Sequence, residues 1–112
     1  VADELVDPRA MERLAGELYG SQEIAHRFVA DFVATWQCRL TRLNAALAAE
    51  DLEDAYVTLL SIRTTSVMIG AVQLARAAGA LQDDAHAGRL ASCRAGMAHL
   101  TDVGTRTMAE LA

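Results

Sequence analysis

Apolar residues recur along most of this chain at intervals of three and four, the spacing of one helix face. The clearest stripe is Ala25, Phe28, Val29, Phe32, Trp36, Leu40, Leu43 and Leu47, with Arg27, Asp31 and Arg42 away from it. It predicts a long amphipathic helix, capped by Ser21 and ending near Ala49. Upstream, Asp7-Pro8 is a helix-start signal, since Asp accepts from an orphan N–H and Pro fits the first helical position. A short helix is expected from Pro8 to Tyr19, stopping at Gly20. Downstream, Asp51 with Asp54 three residues later resembles a capping box. The third helix should bury Leu52, Ala55, Leu59, Ile62, Ser66 and Ile69, then break at Gly70. A fourth runs from Ala71 to Leu81, with Leu74, Ala75, Ala78 and Leu81 inward. Gln82 to Gly88 holds two Asp and a Gly and reads as a turn. The last helix, Arg89 to Leu111, carries Leu90, Cys93, Met97, Leu100 and Leu111 on one face. Gly96 and Gly104 weaken it by about 1 kcal/mol each relative to Ala, unless they permit close packing.

Four substantial helices with short connections predict an all-α fold, an antiparallel four-helix bundle with the short N-terminal helix capping one end. At 112 residues the chain suffices for one domain, spanning 1–112. Hydrophobic residues make up 53% but aromatics only 4%, so the core must come from many Ala, Leu and Val side chains. Such side chains suit closely packed helices better than a sheet.

Ten basic against fifteen acidic residues give a formal charge of −5, which repels phosphate backbones and argues against nucleic-acid binding. No apolar run reaches the roughly 20 residues needed to span a bilayer, so no membrane partner is expected. Cys38 and Cys93 have neither CxxC spacing nor disulfide-scaffold density, as expected of reduced thiols in a cytoplasmic protein. His26, His86 and His99 are far apart, with no pair at i, i+4, so no metal site is expected. There is no Gly-rich phosphate loop and no nucleophile–base pair. Neither an enzyme nor a cofactor is expected.

The stretch from Asp51 to Leu81, DLEDAYVTLLSIRTTSVMIGAVQLARAAGAL, resembles the histidine-containing phosphotransfer (HPt) family. That family carries a helix with His, Lys three residues on, small residues, then a Gly-Ala pair and a second helix. Anchored on Gly70-Ala71, the chain offers Arg63 at the Lys position, Thr64, Thr65 and Ser66 as small residues, and Ile62 at the inward Leu. An Ala-rich helix end and acidic cap, Leu43 to Ala55, precede it as in the family. The position of the His is Leu60. Leucine cannot carry a phosphoryl group. In AHLTDVG, His99 echoes the motif out of register, with Asp102 where a cation should stabilise phosphate.

At about 100° per residue, Leu60 lies roughly 130° from the centre of its helix's inward stripe. It faces outward, as the family's phosphorylatable His does, on a ridge with Tyr56, Arg63, Thr64 and Val67. An outward ridge of Tyr, Leu and Val suggests a contact surface, unless the N-terminal helix or a second copy covers it. The resemblance implies that the partner is a response-regulator receiver domain or a histidine kinase; with Leu60 in place of the His, docking without phosphotransfer is expected. The competing reading is a self-associating structural bundle whose ridge forms a homodimer contact.

Overall fold

The computed structural model describes residues 4–17 and 20–112, which form six helices: α1 (Ala10–Glu17), α2 (Gln22–Ala48), α3 (Leu52–Ile69), α4 (Val72–His86), α5 (Leu90–Ala95) and α6 (Met97–Leu111). Helices α2, α3, α4 and the α5–α6 pair are the four antiparallel rods of the bundle. α1 packs across α2 and α3 as the expected cap. Among the described residues, no helix is long and apolar enough to cross a membrane.

The helix starts follow the capping chemistry. Ser21 Oγ accepts the Ile24 N–H at 3.1 Å, and the Asp51 carboxylate accepts the Asp54 N–H at 3.0 Å. Asp7 accepts the N–H of Arg9 at 3.0 Å, as expected of a helix start; Pro8 and Arg9 form a turn and α1 itself begins at Ala10. The expected end of α1, at Leu18 and Tyr19, lies outside the described residues. Gly70 closes α3 in the left-handed conformation, φ 77°, which a side chain would disfavour. A methyl there would also strike Ala10 and Asp7 of the N-terminal segment.

Two expectations are corrected. The stretch Gln82–His86 is helical, because Ala85 continues the inward row of Ala78 and Leu81 and buries with Gln82. Asp83 is exposed and Asp84 half-buried on that same helix, the latter paired with Arg89; the turn begins only at Ala87. The predicted last helix divides at Gly96, where φ −81° and ψ −8° bend the chain between α5 and α6. Any side chain at Gly96 would press on Leu81, so the bend seats the backbone directly against α4. The bend also shifts the buried row of α6 to Leu100, Val103, Gly104, Thr107 and Met108, leaving Leu90, Met97 and Leu111 only half-buried.

The remaining inward assignments need small adjustments. In α3 the buried set is Ala55, Thr58, Leu59, Ile62, Ser66 and Ile69, with Leu52 at the margin. Thr58 enters the core because its hydroxyl donates to the Asp54 carbonyl at 2.9 Å. Ala46 joins the α2 row while Phe28 is half-buried, and in α4 Ala77 takes the place expected for Ala75. Gly104 permits the close packing that its position in a helix requires: a methyl there would overlap the Trp36 indole. Trp36 in turn meets Phe32 edge-on, with ring centroids 6.2 Å apart.

Candidate functional site

The α3 register decides what the bundle presents on its outer side. Leu59 and Ile62 are fully buried, whereas Leu60 between them is 41% exposed and Val67 is 61% exposed. Leu60, Arg63, Thr64, Val67 and Met68 line one shallow hollow of about 360 Å³. Four of the five ridge residues are therefore together, joined by Met68.

Tyr56 is set apart from them. It is half-buried, packed on the core, and its ring lies 5.7 Å from that of His86 at the end of α4. Those two rings line a separate hollow with Leu52, Glu53 and Ala85. The difference comes from α4: its extra turn brings His86 alongside Tyr56, where a loop was expected.

Arg63 is held in place. Its guanidinium Nη1 donates to Gln82 Oε1 at 3.2 Å. Its side chain lies along Gly79 of α4, where a methyl would come within 3.4 Å of the Arg63 Nε. Gln82 is buried, so the partner of Arg63 is itself fixed by packing. A cation is thus anchored three residues from Leu60, facing the seam between α3 and α4. On the other flank, Arg39 of α2 lies over the Phe32 ring at 5.3 Å and donates to Ser61 Oγ at 2.5 Å. Arg39, Phe28, Asp31, Thr35 and Thr65 line a hollow between α2 and α3. The outer side of α3 therefore runs between two anchored guanidinium groups.

The described part of the N-terminal segment, from Glu4 on, does not cover this face. The Asp7 N–H donates to the Gly70 carbonyl at 2.7 Å, so the segment is tied to the far end of α3, and Leu60 and Val67 remain exposed. Ser66 is fully buried as expected, while Thr64 is exposed. His99 is exposed on α6 and faces a groove beside α4; His26 is exposed on α2. Among the described residues, no three His, Cys, Asp or Glu side chains come together as a metal site would require.

Gln82, Gly79 and Met68 escaped the sequence reading. The sequence places Gln82 in a turn, and Gly79 carries no signal without its neighbour Arg63. Met68 was readable: it lies four residues beyond Thr64 and one beyond Val67, on the same outer side.

No family model matches the chain, and no curated protein matches it. Among solved structures it is similar to histidine-containing phosphotransfer protein B (HptB) from Pseudomonas aeruginosa PAO1. The two superpose with a TM-score of 0.86 at 24% identity, over 97% of this chain and 92% of that one. The fold is HPt-like.

Proposed function

We propose that this protein is a non-catalytic HPt-like interaction module of two-component signalling. It docks a response-regulator receiver domain, or a histidine kinase, through the outer side of α3 and passes on no phosphate. The observation that carries this reading is Leu60, an outward-facing leucine with an anchored Arg63 three residues on, in an HPt-like bundle. Leucine has no nitrogen to accept a phosphoryl group, so the face retains shape and a cation but lacks an acceptor. On this reading the protein is no enzyme, acts in the cytoplasm, and competes with or scaffolds relay partners.

The test is a pair of measurements on purified protein. Binding to receiver domains and kinases of the source organism should be detectable, and incubation with their radiolabelled phospho-forms should leave the chain unlabelled. Acid-labile label on His26, His86 or His99 would overturn the non-catalytic reading.

A second reading rests on the apolar character of the same face: Leu60, Val67 and Met68 are all exposed. A second copy of the chain would cover them as a homodimer. Sedimentation across a hundredfold range of concentration separates the two, since self-association through this face yields a stable dimer and partner docking leaves a monomer.

A further inference from the structure

A further concavity lies away from the α3 ridge, between α4 and the start of α6. It encloses about 470 Å³, the scale of a small molecule rather than of a protein segment. Its volume comes from missing side chains. Ala77 and Ala80 form the α4 wall, and Gly96, at the bend between α5 and α6, leaves the opposite wall low. Leu81 closes the apolar floor.

The rim carries hydrogen-bond donors. Arg76 and His99 stand on it, one from each helix. Asp84 also reaches the groove, but its carboxylate is paired with Arg89 at 3.0 Å. All ten basic residues of the chain are arginines. Eight of their guanidinium groups have an oxygen partner among the described residues: carboxylates for Arg13, Arg27, Arg42, Arg89 and Arg106, a hydroxyl for Arg39, a side-chain amide for Arg63 and the Leu47 backbone carbonyl for Arg94. Among the described residues Arg9 and Arg76 have none, and of these two Arg76 lines the groove. In an acidic chain that matches most of its guanidinium groups with oxygens, one of the two exceptions faces this groove.

We propose that this groove binds a small organic anion, with an apolar body on Ala77, Ala80 and Leu81 and its carboxylate or sulfonate on Arg76. A guanidinium offers two parallel N–H donors to such a group, and the His99 ring adds a third from the facing helix. The site is independent of docking at α3, and no covalent step is involved.

The probe is 8-anilinonaphthalene-1-sulfonate, an aromatic body with one anionic group whose fluorescence rises in an apolar site. The full chain should bind one equivalent saturably, and benzoate should displace it whereas inorganic phosphate should not. Arg76→Gln should weaken binding at least tenfold, and Ala80→Phe, which fills the groove from an exposed position, should abolish it. Arg106→Gln removes one positive charge elsewhere on α6 and should change nothing. Circular dichroism on each variant establishes that it is folded. Unaltered binding by Arg76→Gln and Ala80→Phe would overturn the proposal, as would equal weakening by Arg106→Gln, which would mean unspecific attraction. Displacement by phosphate as readily as by benzoate would also overturn it, since the apolar body would then contribute nothing.

Discussion

Adjacent residues of α3 have opposite fates, and substitution should expose this directly. Leu59 is fully buried, so Leu59→Ala should cost about 2–5 kcal/mol, the range for a truncated core leucine. Leu60 is 41% exposed, so Leu60→Ala should cost less than about 0.5 kcal/mol. Denaturant melts of the two variants check this, and equal losses would mean that the α3 register is different. The cysteines offer a second contrast. Cys38 is exposed, whereas Cys93 is fully buried, and burial together with the nearby Asp84 charge pushes its thiol pKa up. The thiolate is the reactive form, so a thiol reagent at neutral pH should modify one cysteine quickly and the second only on unfolding.

Among the helices, the tightest constraint is where α2 meets α6. A methyl at Gly104 would overlap the Trp36 indole, so Gly104→Ala should destabilise the protein by about 1–3 kcal/mol despite the better helix propensity of Ala. A gain in stability would show that α6 can move away from Trp36 at no cost. The link between α2 and α3 is electrostatic as well as apolar: Arg42 and Asp54 form a two-point ion pair. The hydrogen bond from Arg42 holds the Asp54 pKa below its ordinary 3.8. A lowered folded-state pKa stabilises the fold above the unfolded value and ceases to do so as pH falls through the folded one. The difference in melting temperature between the wild type and Asp54→Asn should therefore be present at pH 7 and shrink below pH 4. The pair is exposed, so the difference will be small.

These elements also show what could be read from the chain alone. Ser21, Asp51 and Gly70 act locally, through hydrogen bonds and backbone conformation within a few residues, and their signals were legible. The bend at Gly96 and the extension of α4 to His86 were not, because each is settled by a partner helix: Leu81 against Gly96, and core space for Gln82 and Ala85. The same holds on the α3 face. The outward set of Leu60, Arg63, Thr64 and Val67 follows from helical period alone. The separation of Tyr56 and the anchoring of Arg63 on Gln82 depend on α4, distant in sequence.

For the whole molecule, the proposed function has the HPt-like bundle dock a partner through a face without an acceptor. Its centre, Leu60, is exposed, so Leu60→Glu should leave folding intact while placing a charge in the middle of the contact. Interfaces depend on a desolvated apolar centre, and losing it should weaken binding at least tenfold, about 1.4 kcal/mol. The most direct measurement joins binding and chemistry in one experiment. Radiolabelled phospho-receiver domains from the source organism are titrated with the wild type and with Leu60→Glu, and both complex and label are followed. The account predicts that a receiver binds the wild type, that Leu60→Glu binds it at least tenfold more weakly, and that no label reaches either chain. Label on the wild-type chain, or equal binding by a folded Leu60→Glu variant, would contradict it.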